Sequence, residues 1–141
     1  MNPRSLGLIG VLLLTLTACD RTSTPSNPTT PDPMSAFTGT WRSTSTAGAC
    51  TAMNWSVTQT GATTATITYA ANCAGVPVTG TANGTLNGTT MNWTTTGTAA
   101  NTCAFGLNGT AAPATVATDL NLTYTGTVCG VPVSGSDTLH R

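Results

Sequence analysis

From residue 39 to residue 139 the chain repeats one pattern: short stretches in which apolar residues alternate with Thr, Ser or Asn, divided by Gly, Asn or Pro. A period of two sends successive side chains to opposite faces of an extended strand, whereas a helix needs a period near 3.6. Threonine makes up roughly a quarter of this region, and its branched β-carbon suits a pleated surface. The alternation predicts eight strands, over 39–45, 52–60, 63–72, 76 to about 86, 89–96, 102–110, 119–128 and 131–139. Met53, Trp55 and Val57 share one face of the second strand, and Ala65, Ile67 and Tyr69 one face of the third. Met91 and Trp93, then Phe105 and Leu107, then Leu120, Leu122 and Tyr124 repeat the arrangement. Asn87-Gly88 reads as a two-residue hairpin, because both residues tolerate positive φ.

Consecutive antiparallel strands with short loops leave two exposed edges unless the sheet closes. The expected fold is therefore all-β, an eight-stranded antiparallel up-and-down barrel, with a two-sheet sandwich as the alternative. The halves of the domain also resemble each other. Cys73-Ala-Gly-Val76-Pro77-Val78-Thr-Gly80 returns as Cys129-Gly-Val131-Pro132-Val133-Ser-Gly135, and each copy follows another cysteine, Cys50 or Cys103. This is a duplicated four-stranded unit, too few copies for a solenoid. In an up-and-down array all four cysteines fall at one rim. Neighbouring strands then favour Cys50–Cys73 and Cys103–Cys129, although four cysteines allow three pairings and sequence leaves the choice open. Each bridge would contribute about 3 kcal/mol through loop closure.

Charge is scarce. The chain has no Lys and no Glu, and beyond residue 36 it carries only Arg42, Arg141, Asp119 and Asp137 as ionised residues. No basic patch exists, which argues against nucleic acid as a partner. Catalysis needs titratable groups or a metal. A Ser–His–Asp set built on Asp137 and His140 is feasible on paper, but surface polar residues are the simpler reading, so no catalytic residue is assigned and the chain reads as a non-enzyme. His140 is the only histidine and no Cys-x-x-Cys pair occurs, so neither a metal site nor a cofactor is expected. Asn54, Asn83, Asn87, Asn92, Asn108 and Asn121 each match the N-glycosylation pattern, which Asn- and Thr-rich turns generate by chance. The Thr64-Thr66-Thr68 and Thr123-Thr125-Thr127 ladders are the solvated faces of strands.

The amino-terminal residues have another character. Arg4 precedes an apolar run, 6–16, that is too short to span a bilayer and of the length of a signal h-region. Leu16-Thr17-Ala18-Cys19 resembles the lipobox of bacterial lipoprotein precursors. The resemblance implies a signal peptide over 1–18, lipid on the Cys19 thiol, and cleavage before that residue. The expected location is then the extracytoplasmic side of a cell-envelope membrane, inner or outer, with the lipid as the membrane contact. Residues 19–36, rich in Pro, Ser and Thr, read as an unpacked tether, and 37–141 as the barrel domain.

Phe37-Thr-Gly39-Thr-Trp41 opens the domain and His140-Arg141 ends it. This resembles the lipocalin-like (calycin) barrels, in which a Gly-x-Trp on the first strand is covered by an arginine after the last. The resemblance implies closure by Gly39, Trp41 and Arg141, with the guanidinium stacked on the indole. It also implies a small apolar ligand inside the barrel, met by Trp55, Tyr69, Trp93, Phe105 and Tyr124, though these side chains equally serve to fill a small core. A purely structural role is the bland form of the same reading. The chain is similar as well to bacterial inhibitors of secreted metalloproteases, so an envelope or secreted protein is the alternative partner.

Overall fold

The computed structural model describes residues 32–141. The expected signal segment, Cys19 and most of the expected tether lie outside the described residues. Eight strands run in chain order: β1 (Gly39–Ser43), β2 (Cys50–Gln59), β3 (Thr64–Cys73), β4 (Val76–Asn87), β5 (Thr90–Thr98), β6 (Ala104–Pro113), β7 (Asp119–Val128) and β8 (Val131–His140). Every neighbouring pair is antiparallel, and β1 meets β8 through Arg42↔His140 and Ser43↔Leu139, so the sheet closes into an up-and-down barrel and not a sandwich. Inward positions carry the apolar residues of the alternation, among them Trp41, Val57, Ile67, Met91, Leu122 and Leu139, all buried. The outward positions are largely Thr, Ser and Asn, which keep a barrel with few charges in contact with water.

Both bridges join the pairs that the strand order favours. Cys50 and Cys73 face each other across β2 and β3, and Cys103 joins Cys129 between the start of β6 and the end of β7. All four cysteines sit at the rim that holds the β3–β4 and β7–β8 turns.

Local geometry departs from the alternation at five places. Strand β2 starts two residues earlier than the pattern suggests, because a bulge between Thr51 and Asn54 puts Ala52 at φ +52°. The extra residue shifts the phase, so Cys50 and Met53 both point inward although they are three apart. The β4–β5 turn is Gly88-Thr89 and not Asn87-Gly88: Asn87 pairs with Thr90, and Gly88 takes φ +61° as the first turn residue, the type II′ arrangement. Strand β1 ends at Ser43, and β6 is displaced towards Pro113. Finally, the folded unit begins before Phe37. Residues Pro33–Ala36 form a short 3-10 helix, capped by the Asp32 carboxylate on the Met34 N–H, with Met34 fully buried. This plug covers the rim opposite the disulfides.

Candidate functional site

Register places equivalent residues of the two halves in one belt around the inner wall. In the first half, Trp41 pairs with Trp55, Trp55 with Tyr69, and Tyr69 with Gly80. In the second, Trp93 pairs with Gly109, Gly109 with Tyr124, and Tyr124 with Gly135. Each tyrosine therefore lies beside a glycine on the next strand. A Cβ at Gly80 would come within 3.3 Å of the Tyr69 oxygen, and one at Gly135 within 2.6 Å of the Tyr124 oxygen. The missing side chains let the phenols lean across the neighbouring strand.

The structure brings the five aromatic candidates into the interior. Trp55 meets Trp93 edge-on with ring centroids 5.1 Å apart, and Tyr69 meets Phe105 edge-on at 6.5 Å. Such pairs add about 0.5–1.5 kcal/mol to area burial. Tyr124 stands nearer the disulfide rim, where its oxygen accepts a hydrogen bond from the Cys50 N–H at 2.9 Å.

Both joints between the halves have short ladders. Across β4 and β5, partners run only from Asn83↔Thr94 to Asn87↔Thr90, leaving residues 76–82 and 95–98 without ladder partners there. A side chain closes the gap. The Thr95 hydroxyl donates to the Thr81 carbonyl at 2.9 Å and lies 2.9 Å from the Tyr69 oxygen. Thr95 is the one buried polar residue among those described. Alternation puts it on the inner face, but sequence gives no sign that its hydroxyl would replace a backbone donor. Burial pushes the Tyr69 phenol above its ordinary pKa, and the Thr95 bond partly offsets this. At the other joint, Ser43 donates to the inward-facing Asp137 carboxylate.

The plugged rim is held by the closure residues. The Arg141 guanidinium lies 4.4 Å from the Trp41 ring centroid and donates to the Thr38 carbonyl at 2.7 Å. The Trp41 indole Nε1–H donates to the Phe37 carbonyl at 2.7 Å. Gly39, at φ +127°, occupies a conformation that L side chains rarely adopt, and a Cβ there would come within 3.7 Å of Arg141.

Trp93 differs. It is 6% exposed, and its Nε1–H has no hydrogen-bond acceptor among the described residues. Elsewhere, His140 and Asp137 do not come together: His140 pairs with Asp119 at 2.9 Å on the outer face, while Asp137 bonds Ser43. Two clefts lie on the outer wall. One, of about 250 Å³, runs over β1–β3 beside Arg42 and Asn54; the other, of about 320 Å³, lies over the β4–β5 joint with Thr95 among its lining residues.

No family model and no curated protein sequence matches the chain. A solved structure described as EF1p2_mFAP2b bound to DFHBI is similar in fold, with a TM-score of 0.59 at 15% identity, covering 78% of this chain and 97% of that one. The likeness extends over the whole barrel and agrees with a lipocalin-like fold.

Proposed function

We propose that the chain is an exported, lipid-anchored envelope protein whose barrel binds a small, largely apolar molecule without transforming it. The observation that carries the binding role is the inward belt of Trp55, Tyr69, Trp93, Phe105 and Tyr124, in which four of the rings meet edge-on and one indole donor stays open. Pockets for small molecules combine such apolar walls with a few polar groups that fix orientation. A protein of similar fold described as bound to DFHBI supports the same reading. Support for the anchor comes from Leu16-Thr17-Ala18-Cys19 behind an apolar run with Arg4 ahead of it. Among the described residues, the lack of a grouped acid, base and nucleophile on the inner wall favours binding over chemistry.

Native mass spectrometry of the protein extracted from its host tests the binding role. A discrete added mass that dissociates on activation is expected, and a bare polypeptide mass after gentle extraction argues for a purely structural barrel. For the anchor, metabolic labelling with an alkyne-tagged fatty acid should mark the wild type and not Cys19→Ser. Equal labelling of both would remove the lipid from the reading.

A further inference from the structure

Register makes Trp41 and Trp93 the same residue of the duplicated unit: each leads the belt of its half, on β1 and β5. Both indoles are buried, yet their donors are treated differently. Trp41 Nε1 is 2.7 Å from the Phe37 carbonyl, supplied by the chain itself just after the plug. No such segment precedes β5, which follows the tight Gly88-Thr89 turn, and Trp93 Nε1 has no acceptor among the described residues. A buried donor without an acceptor loses its hydration with nothing in return, so a native site that keeps one invites an acceptor from outside the chain.

The second half of the belt also carries less bulk than the first, since Gly109 stands where the first half has Trp55. The β4–β5 ladder ends next to this point. The last β4–β5 ladder pair, Asn83↔Thr94, is one residue from Trp93, and beyond it the joint is closed by the Thr95 hydroxyl. The polar cleft over that joint leads to Thr95 from solvent.

We propose that the Trp93 indole N–H donates to the carbonyl oxygen of a small aromatic ligand, which takes the place that the Phe37 carbonyl holds at Trp41. This rests on the reading of the barrel as a small-molecule binder and adds the group that orients the ligand. The ligand class is a compact aromatic ketone, aldehyde or amide: flat enough to lie against Trp55 and Phe105, and carrying one acceptor.

The test uses the full chain and two probes of nearly equal shape, acetophenone and α-methylstyrene, in which a C=O and a C=CH₂ occupy the same place. Acetophenone should bind about ten-fold more tightly, the effect of one net hydrogen bond. It should also move the Trp93 indole cross-peak in a ¹H–¹⁵N spectrum. Trp93→Phe should bring the two affinities together. The wild-type cross-peak reads the contact directly, so the test survives a variant that folds poorly. If both probes bind equally and the Trp93 peak stays put, the donor role fails while the barrel remains a binder. If neither binds at about 1 mM, the limit of weak association, both readings fall.

Discussion

The two halves of the barrel share one plan and solve its problems differently. Each pairs a tyrosine with a glycine on the next strand, and each has one disulfide at the same rim. The first half is finished from within: its leading indole is bonded to Phe37, stacked by Arg141 and covered by the plug. Among the described residues the second half has no counterpart to those three contacts, and its indole donor stays open. The two halves thus share a frame and differ in how the leading indole is satisfied.

The largest expected effect tests that contrast. Trp41→Ala and Trp93→Ala each remove a buried indole and should cost about 3–5 kcal/mol. Trp41→Ala should be worse by about 1–2 kcal/mol, because a hydrogen bond and a cation–π contact go with it. Urea unfolding measures both, and equal losses would break the contrast. Next come the bridges. Their sequence separations, 23 and 26, are nearly the same, so loop closure supplies about 3 kcal/mol to each. Cys50 and Cys73 are buried in the core, however, while Cys103 and Cys129 are only partly covered. Under native conditions with a mild reductant, mass-mapped alkylation should find Cys103 and Cys129 first. The bridge between Cys50 and Cys73 should persist longer, and the reverse order would contradict the burial argument.

A smaller effect separates the two Tyr–Gly pairs. Gly135→Ala forces the Tyr124 ring to move and should cost about 1–3 kcal/mol, as overpacking does. Gly80→Ala, with more room before the Tyr69 oxygen, should cost less than about 1 kcal/mol on the same scale. Thermal unfolding of the two variants ranks them. The smallest effect is alkaline. The folded Tyr69 pKa is raised, so its neutral phenol contributes stability that is complete below the ordinary value, about 10, and declines as pH rises through the raised one. Unfolding temperatures should fall in that range less steeply for Tyr69→Phe than for wild type.

Much of this frame was legible in the residues. Strict alternation around Trp55, Ile67, Trp93 and Leu122 determines which face turns inward, and the strand order places all four cysteines at one rim. The resemblance of the Gly-x-Trp at 39–41 and of Arg141 to the closure of lipocalin-like barrels pointed the two ends to each other, and they meet at the plugged rim. What escaped has a common cause: it depends on residues whose role is set by a neighbour across the sheet. Ala52 carries a bulge, yet alanine has no sequence signature of positive φ. Met34 sits among prolines and reads as tether until the barrel rim offers it a place. Thr95 looks like its many outward neighbours, and only the short β4–β5 ladder makes its hydroxyl a substitute for a backbone donor. That Trp93 lacks an acceptor could not be read at all, since absence of a partner is a property of the folded interior.

The disulfides lie within the four-stranded units, between β2 and β3 and between β6 and β7, and neither crosses a joint. Covalent bonds therefore stiffen each shell while the two lines where shells meet are held by short ladders, hydroxyls and packing. A fluctuation that opens either of those lines leaves both cross-links intact, so oxidising conditions that harden the two leaves do not bar that mode of opening.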